Sequence, residues 1–175
     1  MLIDAIWQPG PYQGCIVGIK GGRVKHIFVK SPADAASAAD KLDRAGEDAY
    51  FSPAMFSGNS RKQADAASIG AFWLDLDCGG GKPYLTPAAA LDALTGWLAR
   101  VRMPLPNVLV QSGYGLHVYW LLDKPASLDE WLPVAQRFKQ ALRLGGVHAD
   151  PARTADAASI LRVPGTHNRK NPDDP

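Results

Sequence analysis

The sequence has few cysteines: Cys15 and Cys78 are the two in 175 residues. This number excludes a disulfide-rich scaffold and a zinc site of four cysteines within the chain. Long apolar runs are absent as well, since no stretch approaches the roughly 18 consecutive apolar residues of a membrane span. The N-terminus lacks the basic start and apolar run of a signal peptide. We therefore expect a cytoplasmic protein with no membrane partner.

The chain also lacks a large excess of either positive or negative charge. Nineteen basic residues against seventeen acidic ones give a net charge of +2, so any basic binding site must be local. An apolar share of 46% in 175 residues suits one domain with a packed core. This composition excludes disordered, collagen-like and coiled-coil proteins.

Strand-like and helix-like segments alternate along the chain. Two β-branched runs joined by Gly21-Gly22 predict a hairpin over residues 14–30. Capped amphipathic segments predict helices over 32–45, 86–101 and 127–144, and further strands are predicted at 48–56, 69–78, 107–111, 116–122 and 160–163. This order predicts an α+β fold, with helices on one face of a mixed or antiparallel sheet. We expect the other face of the sheet to be left for a ligand.

Asp75 and Asp77 are the most informative pair of residues. At positions i and i+2 of a strand, their side chains point the same way, with Cα atoms about 6.6 Å apart. Two carboxylates on one face repel each other, and a divalent cation such as Mg²⁺ or Mn²⁺ removes the conflict. The alternative is a solvated pair of carboxylates at the end of the strand.

A third carboxylate has two candidates. Asp150 follows the last long helix, and Asp156 lies six residues further on. Either could also be a turn or capping residue, because Pro151 directly follows Asp150. The sequence leaves the choice between the two open.

His117 shares a strand face with Tyr119 and follows the glycine-flanked turn that begins at Ser112. A histidine near a carboxylate cluster could contact a phosphate or act as an acid or base, and the alternative is a structural sheet histidine. Ser112 could either donate to a phosphate or serve only the turn.

Two basic segments could contact phosphates. The loop opened by Arg162 carries Arg169 and Lys170, and a second, smaller site holds Arg61 and Lys62. Arginine, lysine and turn amides suit a polyphosphate or a nucleic-acid backbone, whereas the alternative is a solvated basic tail.

Three segments taken together resemble the motifs of archaeo-eukaryotic primases, and most of all the primase-polymerase module of phage, prophage and plasmid replication proteins. They are FWLDLD at 72–77, SGYGLHVYW at 112–120, and Ala149-Asp150 followed by LRVPGTHNRK at 161–170. Their order and spacing agree with the family from about residue 50 to residue 170. The first forty-odd residues carry no motif that we can match.

The resemblance implies a palm-like sheet related to the RNA-recognition fold. The primase-polymerase catalytic domain would span residues 1–170, with a small hairpin-helix part at 1–47 and the motif-bearing palm at 48–170. Residues 171–175 are expected to be a linker or the truncated end of a longer protein.

The resemblance also implies roles for single residues. Asp75, Asp77 and Asp150 would bind two catalytic Mg²⁺ or Mn²⁺ ions, and His117 and Arg162 would contact the triphosphate. Many relatives have serine two residues before the histidine, where this chain has Gly115. The phosphate contact would then come from the amide of Gly115 or from Ser112. Arg61, Lys62, Arg169 and Lys170 are the candidate contacts to nucleic acid.

The implied activity is that of a DNA-dependent primase-polymerase, which starts and extends primers on single-stranded DNA by nucleotidyl transfer. Nucleoside triphosphates and template DNA would be its partners in the bacterial host cytoplasm, and a helicase domain or protein is a further candidate. Ribonucleotide or deoxynucleotide preference is left open. The alternatives are a metal-dependent nuclease or rolling-circle nickase, and a non-catalytic single-strand-binding module. The nickase is disfavoured because no second histidine lies two residues from His117.

Overall fold

The computed structural model describes residues 2–169, which form four α-helices and eight β-strands. Lys170 and the predicted linker at 171–175 lie outside this range. The helices are α1 (Leu2–Ile6), α2 (Pro32–Arg44), α3 (Pro87–Val101) and α4 (Leu128–Leu144). The strands are β1 (Gly14–Lys20), β2 (Arg23–Val29), β3 (Asp48–Phe51), β4 (Ala54–Phe56), β5 (Ala66–Asp77), β6 (Val108–Gln111), β7 (Gly115–Ala126) and β8 (Leu161–Arg162).

The three predicted helices are present, and each begins after a capping residue. The side chains of Ser31, Thr86 and Ser127 accept hydrogen bonds from backbone amides in the first turns of α2, α3 and α4. Each hydroxyl satisfies a helix-terminal amide that would otherwise have no partner. The predicted hairpin is also confirmed, because Gly21 and Gly22 both adopt positive φ angles, as a tight two-residue turn between β1 and β2 requires.

The strands form two antiparallel sheets of four strands each. The first has the order β4-β5-β7-β6, and the second has the order β2-β1-β3-β8. One face of the first sheet packs on α3 and α4 through a cluster that includes Leu74, Leu76, Leu94, Trp97 and Phe138. The α+β prediction, with helices on one face of an antiparallel sheet, is therefore confirmed.

The other face of the first sheet differs from the prediction. It is covered over much of its length by the second sheet, and Phe51 packs near Tyr119 with ring centroids 6.5 Å apart. The hairpin is not a separate appendage, because β3 pairs with β1 and β8 pairs with β3. The expectation of a whole face left for a ligand was wrong, since the apolar side chains of the second sheet also need a surface to bury against.

No helix within residues 2–169 combines the length and the apolar character that crossing a membrane would require.

Candidate functional site

The ends of β5 and β7 place three of the predicted residues together. Asp75 lies directly opposite His117 in the ladder, and Asp77 lies opposite Gly115. The Nε2 atom of His117 is 3.7 Å from Oδ1 of Asp75, and the His117 side chain is almost fully buried. Asp75 and Asp77 share one face, as the spacing of a strand requires. These residues form what we call the sheet wall of a cleft.

Asp150 lies against this wall, and its backbone amide donates a 2.8 Å hydrogen bond to the carbonyl oxygen of Asp75. Its carboxylate accepts from the amide of Ala152 and lies 3.6 Å from Nε of Arg153. The carboxylate of Asp156 likewise accepts hydrogen bonds within its own turn, from residues 158 and 159. Asp150 does not line the cleft itself, but it lines a neighbouring pocket together with Asp77 and Lys82.

Lys82 is the counter-charge that the structure places at Asp77. Its Nζ atom lies 2.8 Å from Oδ2 of Asp77, and this hydrogen bond and charge raise the pKa of Lys82. Within residues 2–169, no three His, Cys, Asp or Glu side chains converge at metal-ligand spacing. The donor chemistry nevertheless fits a hard cation, because the carboxylate oxygens of Asp75 and Asp77 on one strand face are typical Mg²⁺ or Mn²⁺ ligands.

The turn between β6 and β7 explains the glycine at position 115. A Cβ atom there would lie 2.5 Å from the backbone oxygen of Leu76, so no other residue fits without movement of the backbone. The amide of Ser112 donates to the carbonyl oxygen of Gly115, which closes the turn. Ser112 lines the cleft, whereas a serine at position 115 would not fit.

Arg162 forms the opposite wall of the cleft and is 5% exposed. Its guanidinium donates to the carboxylate of Asp48, the hydroxyl of Tyr50, the side-chain oxygen of Asn168 and the backbone oxygen of His167. It also lies over the Tyr50 ring, 4.7 Å from its centroid. We call Arg162 and the segment that follows it, 162–168, the loop wall.

The two walls enclose a cleft of about 180 Å³. A neighbouring space of about 460 Å³ continues between the glycine turn and the loop wall. The residues that line the cleft are Ile19, Tyr50, Asp75, Asp77, Ser112, Tyr114, His117, Arg153, Ile160, Leu161, Arg162 and Asn168.

Sequence reasoning missed Tyr50, Arg153 and Asn168. Arg153 could have been found, because it lies one turn after Asp150. Asn168 lies in the quoted segment 161–170 but was given no role, and Tyr50 had no local signal. Contacts more than fifty residues apart in sequence bring both to the cleft.

The predicted nucleic-acid contacts are spread over the surface. Lys62 is exposed, and Arg61 donates hydrogen bonds to the backbone oxygen of Ala158 and to His26. Arg169 is held by three hydrogen bonds on α2 and the turn after it. Lys170 lies outside the described residues.

Two solved structures are similar to this chain over most of its length. The AEP domain of the cyanophage S-2L primase-polymerase matches with a TM-score of 0.61 at 16% identity, over 86% of this chain and 72% of that one. The catalytic domain of primase RepB′, solved in complex with initiator DNA, matches with a TM-score of 0.59 at 17% identity, over 94% and 72%. This chain has the AEP primase-polymerase fold. The resemblance read from the three motifs is thereby confirmed for the fold.

One curated protein has detectable sequence similarity to this chain. It is a replication protein from Clostridium perfringens, 27% identical over 132 residues. The match covers 74% of this chain and 31% of the relative, so the chain spans about a third of that protein's length. No family model matches the chain.

Proposed function

We propose that the chain is the catalytic domain of a primase-polymerase that starts and extends primers on single-stranded DNA. The observation that carries the proposal is Asp75 and Asp77 on one strand face, with His117 directly opposite Asp75, at a cleft of the AEP fold. The similarity to a replication protein supports the same general role.

In this proposal Asp75, Asp77 and Asp150 hold Mg²⁺ or Mn²⁺. A triphosphate brought to three carboxylates without a cation would be repelled, so a metal fits the charge of the site. Two bound divalent ions would supply charge neutralisation at the triphosphate and a lowered pKa for the attacking 3′-hydroxyl. The rigid β5–β7 ladder fixes the carboxylates before the substrate arrives, which limits the reorganisation that the reaction needs.

The remaining cleft residues bind the triphosphate. His117 is fixed by its place in the ladder, and its imidazole can donate to a phosphate oxygen. A serine does not fit at position 115, so Ser112, which lies in the same turn and lines the cleft, takes the role of the phosphate-contacting serine. Arg162 contributes positive charge from the loop wall, while its hydrogen bonds to the protein keep the guanidinium in place.

Template DNA would contact residues at and beyond the mouth of the cleft. Tyr114 is half-buried and lines both the cleft and the neighbouring space, so its ring can stack on a base. Trp120, a second aromatic residue of the motif segment 112–120, is buried and its Nε1 donates to the backbone oxygen of Pro104, so it is not available for stacking. Lys62 and Arg61 are the proposed phosphate contacts, with Lys170 as a further candidate. A helicase domain or protein remains a proposed partner.

Incubation with single-stranded DNA, Mg²⁺ or Mn²⁺ and one nucleotide set at a time, without primer, tests the proposal. We expect labelled oligonucleotides to accumulate when metal is present and to disappear with a chelator. Comparison of ribonucleotide and deoxynucleotide reactions reports the preferred sugar. Shortened DNA without new product would indicate a nuclease, and a DNA complex without either product would indicate a binding module.

A further inference from the structure

The loop wall is fastened to the hairpin-helix part at 1–47, which carries no recognisable motif, and to the first residue of the palm. Two aspartates make the connection: Asp43, near the end of α2, and Asp48, the first residue of β3. Neither lines the catalytic cleft, and their side chains are only 15% and 19% exposed.

Asp48 connects Arg162, the first residue of the loop wall, with Arg169, directly after its last residue, through a single oxygen. Its Oδ1 accepts a 2.9 Å hydrogen bond from Nη1 of Arg162 and a 3.0 Å hydrogen bond from the backbone amide of Arg169. A charge-assisted hydrogen bond to a buried guanidinium is stronger than a neutral one, so Asp48 fixes where Arg162 lies.

Asp43 holds the far end of the loop. Its carboxylate accepts from the amide of His167 at 3.0 Å, from His167 Nδ1 at 2.8 Å and from Arg169 Nη1 at 2.7 Å. Burial by itself would raise the pKa of Asp43, but the hydrogen bonds from Arg169 and His167 lower it to about 2. The carboxylate is therefore ionised, and fully engaged with the loop, at any pH near neutrality.

The same loop also contacts residues that line the cleft. Asn168 lies between His167 and Arg169, and its side-chain oxygen accepts from Nη2 of Arg162. Its Nδ2 donates a 2.8 Å hydrogen bond to the backbone oxygen of Ser112, in the turn that leads to His117. A displacement of residues 167–169 would therefore move contacts at Arg162 and at the glycine turn together.

We infer that Asp43 and Asp48 are positioning residues for the nucleotide site, and that the N-terminal hairpin-helix part belongs to that site. This inference rests on the proposed function, because the loop wall is there assigned to the triphosphate. Asp43 and Asp48 act through Arg162 and Asn168, and touch no substrate themselves.

Asp43→Ala is the first test, with Asp40→Ala as the matched control. Asp40 lies on the same helix and forms an exposed ion pair with Arg44, away from the loop. We expect Asp43→Ala to raise KM for the nucleoside triphosphate about tenfold, with kcat changed by less than about twofold. Asp40→Ala should leave both constants unchanged. An unchanged KM in a folded Asp43→Ala protein overturns the inference.

A double-mutant cycle between Asp43 and Arg169 separates positioning from a general loss of stability. If Asp43 acts through the loop, Arg169→Ala gives a similar rise in KM, and the double variant is no worse than either single variant. Additive effects would contradict the inference. Asp48→Asn, which keeps one acceptor oxygen, should give a smaller rise than Asp48→Ala. A wild-type protein that incorporates no nucleotide would instead overturn the proposed function itself.

Discussion

The two walls of the cleft are built in different ways. In the sheet wall, Asp75, Asp77 and His117 are held by a backbone ladder between β5 and β7 that keeps one register over residues 71–77 of β5. In the loop wall, Arg162 is held by side-chain hydrogen bonds to residues such as Asp48, 114 positions away in sequence. The first wall is fixed by backbone geometry, and the second depends on individual side chains.

Under the proposed function, this difference suits the two walls to different tasks. Groups that must stay in register for chemistry lie on the rigid ladder, where a shift of one residue would turn both carboxylates to the opposite face. The loop wall, which is proposed to add positive charge at the nucleotide, is a segment whose position can be altered by a single substitution. We therefore expect substitutions in the sheet wall to lower kcat and substitutions that loosen the loop wall to raise KM.

The largest expected effect tests the sheet wall. Asp75→Asn keeps the size of the side chain and removes its charge. We expect nucleotide incorporation to fall by a factor of about 1000 or more, with an unchanged melting temperature. Primer synthesis on single-stranded DNA measures the first, and thermal unfolding measures the second. Normal primer formation by a folded Asp75→Asn protein would remove the basis of the proposed mechanism.

The second prediction tests which aspartate is the third carboxylate beside the sheet wall. We expect Asp150→Asn to lower incorporation about 100-fold or more, because it removes the proposed third carboxylate ligand of the metal. Asp156→Asn is the matched control, and we expect it to stay within about threefold of the wild type, since Asp156 serves its own turn. The reverse order of the two variants would identify Asp156 as the third carboxylate.

The third prediction tests how tightly the sheet wall is built. Gly115→Ala places a Cβ atom against the backbone oxygen of Leu76, and we expect it to destabilise the fold by about 1–3 kcal/mol. Gly58→Ala is the control, because nothing lies within 4 Å of a Cβ at that position. Urea unfolding of both variants gives the comparison. Equal stabilities would show that the turn has room for a side chain.

The smallest effect concerns the attachment of the loop wall. The pKa of Asp43 is lowered from 3.8 to about 2, so its interactions stabilise the fold fully above about pH 4 and are lost as the pH falls towards 2. This difference corresponds to about 2 kcal/mol. We expect Asp43→Asn to be less stable than the wild type at pH 6, and this gap to narrow at pH 2.5 in urea unfolding. A gap that does not depend on pH would contradict the assignment.

The same division between the walls explains what could be predicted from the sequence. Local periodicity and turn chemistry predict the shared face of Asp75 and Asp77, the hairpin at Gly21-Gly22 and the helix caps. The structure contains all three features. The second sheet could not be predicted in this way, because β3 and β8 are short strands that come from distant parts of the chain. The hydrogen bonds of Arg162 likewise required the fold, since a lone arginine in a loop gives no indication of its partners.

The pairing of β3 with β1 has a practical consequence for anyone who trims this chain. A protein that started at Asp48 would retain all the recognisable motifs but would lose α2 and the neighbour of β3. One strand edge would be left bare, and Arg169 would lose Asp43. A truncated protein whose first residue is chosen from the motifs alone would therefore lose Asp43, which holds His167 and Arg169.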